Sequence, residues 1–128
     1  MEKKTVLLVL CRKVIADLLI DKINSTQKLE AFGIYKFNEA RSAAFTYNPN
    51  LALIEIPERN DDDPALDALD VCKDIKEANP DCKIMLLCPE KDKKSVNVCV
   101  EAKKRGEIGA FLFYEASVDY LVSQLESM

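Results

Sequence analysis

The stretch LALIEIPERNDDDPALD, Leu51 to Asp67, decides how the chain is read. Its first six residues are apolar except for Glu55, and the residues after them turn acidic and meet a proline. A short apolar run bounded by turn formers is the pattern of a strand covered on both faces. Asn48-Pro49-Asn50 breaks the chain before it, and Asp63-Pro64 opens a helix with proline at the first helical position. A lone carboxylate at the end of such a strand stands where open α/β sheets place their functional groups, at the carboxyl ends of the strands.

Working outward, Thr5 to Leu10 is a second apolar strand, and Ile15, Leu18, Leu19 and Ile23 recur behind it at helical spacing. Phe32 to Phe37 is β-prone, and Asn38 suits the cap of a short helix from Glu39 to about Phe45. After the strand Leu51 to Ile56, a helix with Leu66, Leu69, Cys72 and Ile75 on its buried stripe runs to Ala78. Lys83 to Cys88 is the fourth strand. Val96, Cys99 and Val100 mark a helix ending near Gly106, Ala110 to Phe113 is the fifth strand, and Ser117 caps a last helix carrying Val118, Leu121, Val122 and Leu125. Strands alternating with helices predict a doubly wound, five-stranded parallel sheet with five helices, built as a single domain over residues 1–128. The residues to interrogate at the strand ends are then Leu10, Cys11, Glu55, Cys88 and Tyr114.

Composition narrows the function classes. Apolar residues make up 48% of the chain and charged ones 31%, a balance that suits an ordinary globular domain. The longest apolar run is far too short for a membrane span, and the first residues carry no secretory h-region, so a cytoplasmic address is expected. Five cysteines with no C-x-x-C pair, and no histidine, argue against a disulfide framework or a zinc finger. A net charge of −4 argues against direct nucleic-acid binding, which rests on neutralising phosphates.

PNLALIEI (Pro49 to Ile56) resembles the PDLVLLDI stretch of the receiver domains of bacterial two-component response regulators. NPDCKIMLLCP (Asn79 to Pro89) and AFLFYEAS (Ala110 to Ser117) are similar to two further stretches of that family. The resemblance implies the receiver fold with strand order 2-1-3-4-5. In that family an Asp on the third strand accepts a phosphoryl group beside Mg²⁺ and takes part in a phosphorelay. An acidic pair after the first strand, a hydroxyl residue on the fourth and a Lys on the fifth complete the site.

Carried over residue by residue, the resemblance fails at the chemistry. Glu55 falls on the acceptor, Leu10 and Cys11 on the acidic pair, Cys88 on the hydroxyl residue, and Tyr114 (or Phe113, with one residue of slip) on the Lys. One carboxylate flanked by Leu and Cys does not make the hard oxygen cage that Mg²⁺ requires. Phosphoryl transfer without metal or ammonium lacks its charge neutralisation. The expectation is a degenerate pseudo-receiver with no catalytic residue, metal or cofactor. Two readings of Glu55 stand side by side: a longer stand-in that carries its carboxylate toward the phosphate position, or a partly solvated relic.

Two other functions are weighed against this one. The domain is an unorthodox but active receiver phosphorylated on Glu55 or elsewhere, or it is a small thiol enzyme or redox sensor using Cys11. The segment CRKVIAD (Cys11 to Asp17) lacks the Gly- and Ser-rich anion loop that a cysteine phosphatase needs, although Arg12 and Lys13 would favour a thiolate. Asp61, Asp62 and Asp63 lack the alternation of a calcium loop and read as a solvated charge run in the segment from Glu58 to Asp63.

With no chemistry, the surface carries the function. The resemblance points to the face of helix four, strand five and helix five as the site for a signalling protein or a second copy of the chain. Lys94, Lys103 and Lys104 supply positive charge there, and Val98, Phe111 and Tyr120 are expected to form an apolar centre. Neither a nucleic acid nor a membrane is an expected partner.

Overall fold

The structure is a computed structural model and describes residues 3–10, 12–57 and 64–128. In chain order the elements are β1 (Lys4–Val9), α1 (Lys13–Ser25), β2 (Leu29–Ile34), a 3-10 turn (Phe37–Glu39) leading into α2 (Ala40–Tyr47), β3 (Leu51–Glu55), α3 (Pro64–Ala78), β4 (Lys83–Cys88), α4 (Lys93–Lys104), β5 (Ala110–Phe113) and α5 (Val118–Ser127). The sheet order is β2-β1-β3-β4-β5 and all four ladders are parallel, as the alternation of elements predicts. No helix among the described residues is long and apolar enough to cross a membrane.

Because successive side chains of a strand face opposite ways, the sheet divides the core in two. Leu7, Val9, Ala52, Ile54, Ile84 and Leu86 pack beneath α2, α3 and α4. Val6, Leu8, Leu51, Leu53, Met85 and Leu87 pack beneath α1 and α5. This double covering explains why the inner strands read as continuous apolar runs rather than as alternating ones.

Several boundaries and faces differ from the sequence reading. The second strand is Leu29–Ile34, in register with Lys4–Val9, rather than Phe32 to Phe37. Leu29 and Ala31 enter the core against α1, and the chain leaves the sheet before Phe37, which packs on the opposite side. Asn38 lies inside the 3-10 turn instead of capping a helix, and β3 stops at Glu55, although Ile56 stays buried. Leu18 and Leu66 do not join the buried stripes: they are 55% and 50% exposed, and Ala16 and Ala65 take the inward positions.

The helix ends that frame the strand tips have definite local causes. Asp92 caps α4 by accepting from the Ser95 backbone N–H at 3.2 Å and from the Ser95 hydroxyl at 2.7 Å. The hydrogen bonds from Ser95 hold the Asp92 carboxyl below the usual range. The same helix closes in a Schellman turn, with Glu107 N–H on the Ala102 carbonyl, Gly106 N–H on the Lys103 carbonyl, and Gly106 at φ +76°. Ser117 caps α5 as expected, its Oγ accepting from Tyr120 N–H at 3.1 Å.

Candidate functional site

Glu55 ends β3 at the carboxyl edge of the sheet, paired in register with Leu87 of β4, and is only 2% exposed. A carboxylate so far from water requires compensating donors. Arg12 supplies them. It sits at the N-cap of α1 with extended backbone and no capping side chain, and its side chain turns across the strand ends. Its Nε donates to Glu55 Oε2 at 2.9 Å, and its backbone N–H donates to Oε1 at 3.3 Å.

A third strand end joins this pair. The Arg12 guanidinium carbon lies 4.3 Å from the centroid of the Tyr114 ring, just beyond β5. Stacking on the ring face adds a cation–π attraction to a charge-assisted hydrogen bond. Arg12 therefore links the ends of β1, β3 and β5, while its side chain remains 47% exposed. Beneath it the strand tips are tied by Leu10 N–H to the Ile34 carbonyl (3.1 Å), Ile56 N–H to that of Leu87 (2.8 Å) and Tyr114 N–H to that of Cys88 (3.2 Å).

Of the five residues singled out from the sequence, the structure brings Glu55 and Tyr114 together and buries Leu10 completely. Cys11 lies outside the described residues, as does the acidic segment from 58 to 63. Cys88 is set apart: it is buried in the half of the core beneath α3 and α4, and its thiol donates to the Pro89 carbonyl at 3.6 Å. The nearby Cys99 side chain and burial push the Cys88 thiol up. At β5 it is Tyr114 that meets Arg12, whereas Phe113 faces the other way and meets Phe111 edge-on at 6.0 Å.

Glu55 is not the partly solvated group that one sequence reading expects. The residues at this place also do not fit Mg²⁺. The Leu10 side chain offers no oxygen ligand, and both carboxylate oxygens of Glu55 are engaged by Arg12, whose positive charge lies against them. Among the described residues no group of three or more His, Cys, Asp or Glu side chains is placed to hold a metal ion.

The face of α4, β5 and α5 differs in part from expectation. Lys94, Lys103 and Lys104 are exposed, and Tyr120 is 50% exposed. Val98 is not exposed: with Phe111 it is half-buried and packs against the core. Lys104 pairs with Glu101 at 3.6 Å, and Arg105 grips Glu107 through two bonds of 3.0 and 3.3 Å. Sequence reasoning missed Arg12 as a partner of Glu55, reading it only as a neighbour of Cys11. The available signal was a buried-strand carboxylate that needs a cation and a basic residue leaving the adjacent strand.

No protein-family model matches the sequence, and no curated protein matches it. Solved structures do match. A response regulator from Thermotoga maritima superposes with a TM-score of 0.76 at 18% identity, covering 98% of this chain and 97% of that one. The fold is the receiver fold. The receiver domain of the Francisella response regulator 1452 matches equally well, with a TM-score of 0.76, 18% identity, and 98% and 95% coverage. A streptococcal redox sensor, from a family evolved from two-component response regulators, matches with a TM-score of 0.76 at 18% identity over 97% of this chain and 50% of that one. The cluster of Arg12, Glu55 and Tyr114 thus lies at the carboxyl edge of a receiver-fold sheet, the edge at which such sheets carry their sites.

Proposed function

We propose that this chain is a single-domain pseudo-receiver: a non-catalytic signalling domain that acts through protein–protein contact, with aspartyl-phosphate chemistry lost. The observation that carries the reading is the Arg12–Glu55 pair. The carboxylate at the end of β3 already has a cation, and that cation is part of the protein. A receiver that cycles needs an acid open to phosphorylation and a divalent ion that comes and goes. Here the charge is neutralised internally, and Glu55 acts as the fixed anion of a permanent lock rather than as an acceptor.

The competing reading, an active receiver phosphorylated on Glu55, requires the carboxylate to give up the hydrogen bonds from the Arg12 guanidinium and backbone before any phosphoryl donor reaches it. Incubation with acetyl phosphate and Mg²⁺, followed by intact mass measurement, separates the two. The expected result is an unchanged mass and no beryllofluoride adduct. A phosphorylated Glu55 peptide overturns the reading.

The output is an interaction of the α4–β5–α5 face with an acidic signalling protein or with a second copy of the chain, in the cytoplasm of a bacterial cell. Lys94, Lys103 and Lys104 steer the encounter, with exposed Tyr120 beside the partly buried Phe111 and Val98 as its apolar element. Reversing the charge at Lys103 and Lys104 weakens capture of the partner, or shifts the elution volume of a self-associated form. Unchanged binding and elution remove this face from consideration.

A further inference from the structure

We propose that the outer face of α1 is a docking surface for the α1 of a second copy of this chain, in an antiparallel two-fold contact. Helical spacing sorts α1 into two faces. Ala16, Leu19 and Ile23 turn to the sheet, and Val14, Leu18, Asp21 and Ser25, spaced by four, three and four residues, form an exposed crest opposite them. Val14 is 73% exposed, more than any other large apolar side chain among the described residues, and Leu18 stands one turn behind it. Leu18 also lines an open groove of about 360 Å³ between α1 and α5, with Val118 as the groove's other apolar wall. A single exposed apolar residue is ordinary, but an adjacent pair that runs on into a groove is surface the chain does not use in its own fold.

The charges beside the crest select the occupant. Lys13 stands before Val14, and Asp17 and Asp21 follow it, all three exposed. Lys22, on the groove side, is engaged by Asp119 at 2.8 Å, whereas among the described residues Lys13, Asp17 and Asp21 make no ion pair. A helix with its positive charge at one end and its negative charges farther along complements itself when reversed. With the two-fold axis level with residue 16, Val14 of each copy meets Leu18 of the other at the mouth of the groove. Lys13 then comes level with position 19 of the other helix, about 3 Å of axial rise from both Asp17 and Asp21. The order along the seam is lysine, aspartate, aspartate, lysine, and each aspartate lies next to a lysine of the opposite copy. The net charge of −4 works against pairing, but physiological salt screens it beyond about 8 Å.

The pairing does not depend on the chemistry at Glu55, and it leaves the other binding face open. α1 and α4 cover opposite sides of the sheet, so a contact through α1 and one through the α4–β5–α5 face do not compete. The dimer therefore presents two α4 faces, and a partner with two matching epitopes is held by avidity. A contact between single helices buries less than the roughly 800 Å² per partner of a standard interface. The dimer is accordingly weak, and its formation follows the local concentration of the chain.

Sedimentation equilibrium of the native chain from micromolar to millimolar concentration tests the pairing. The expected result is a reversible monomer–dimer equilibrium, abolished by Leu18→Lys. Lys13→Asp alone, or Asp17→Lys with Asp21→Lys, sets like charges along the seam and weakens the dimer about tenfold. Mixed in equal amounts, these two variants pair with each other more tightly than either pairs with itself, and the variant with all three charges exchanged recovers the parent affinity. Circular dichroism verifies that each variant is folded, and all of these positions are exposed. Reversing the charge at Lys103 and Lys104 leaves the equilibrium unchanged. A chain that stays monomeric at every concentration overturns the proposal and leaves the crest to a different protein. So does a dimer that survives Leu18→Lys or is indifferent to the charge exchange. Loss of the dimer on reversal of Lys103 and Lys104 also overturns it, by assigning self-association to the α4 face.

Discussion

Arg12 reaches Glu55 by two routes, side chain to one carboxylate oxygen and backbone N–H to the other, across a separation of 43 residues in sequence. Truncating Arg12 to Ala removes the 2.9 Å side-chain donor and its positive charge from a nearly buried carboxylate. The cost expected in urea denaturation is about 2 kcal/mol, below the range for fully buried pairs because the arginine is half exposed. Glu55→Gln keeps an oxygen for the same donors and costs about 1 kcal/mol. The double variant loses less than the sum by at least about 0.5 kcal/mol, since each change removes the same interaction. Strict additivity would show that the pair contributes nothing as a pair.

Adjacent leucines on α1 have opposite fates, and their truncation separates them. Leu19 is fully buried and Leu18 is 55% exposed. Leu19→Ala is expected to cost about 2–5 kcal/mol through lost transfer energy and a cavity. Leu18→Ala stays within about 0.5 kcal/mol. Thermal denaturation of the two variants reads the contrast, and equal losses would place the wrong face of α1 against the sheet.

Asp92 ties the start of α4 to acid stability. Its carboxyl is held below its ordinary value of 3.8 by Ser95, so protons bind it more weakly in the folded than in the unfolded state. The stability it adds is fully present above that ordinary value and is lost as the pH falls through the depressed folded one. Asp92→Ala therefore destabilises the chain by about 1 kcal/mol at neutral pH. The gap to the parent narrows below pH 3.8 in denaturation curves taken across the acid range. A gap independent of pH would mean the cap is not ionic.

Gly106 isolates backbone strain from packing. A methyl group added there meets nothing within 4 Å, yet the backbone is at φ +76°. Gly106→Ala is expected to cost about 1 kcal/mol from conformation alone, while Gly106→Asn, tolerant of this region, costs less. Chemical denaturation that ranks the two variants the other way would contradict the Schellman turn.

Burial pushes the Cys72 thiol up to about 12 and the Cys82 thiol up to about 11. Near neutral pH both are protonated, and the thiolate is the reactive form. Peptide-resolved maleimide labelling of the native chain is expected to leave 72 and 82 unmodified over times that label an exposed thiol completely, and to modify both at once in denaturant. Rapid native labelling of either would mean that the core opens there.

The order and type of the large elements were legible because each carries its own local signal: apolar runs of strand length, helical spacing, and Pro, Gly or Ser at the joints. The second strand was misplaced because its aromatic end outweighed LEAFGI, whose inward Leu29 and Ala31 are recognisable only once paired with β1. Leu18 and Leu66 fit helical spacing by sequence, whereas the stripes that meet the sheet run through Ala16, Leu19 and Ile23 on α1 and through Ala65, Ala68, Leu69 and Cys72 on α3. Glu55 was found from its place at a strand end. Its partner was not, since the meeting of residues 12 and 55 depends on how β1 and β3 align and on the turn of a side chain at a helix start.

The uniformly parallel ladders have a kinetic consequence. A hairpin lets neighbouring strands zip locally, but every ladder here joins strands whose connection must first cross the sheet through a helix. The central ladder, β1 with β3, waits until the intervening β2 and α2 have been laid down. Chain-closure entropy is therefore spent before most of the sheet's hydrogen bonds can form, and refolding belongs on the millisecond-or-slower scale of non-local topologies rather than on the microsecond scale of helical bundles.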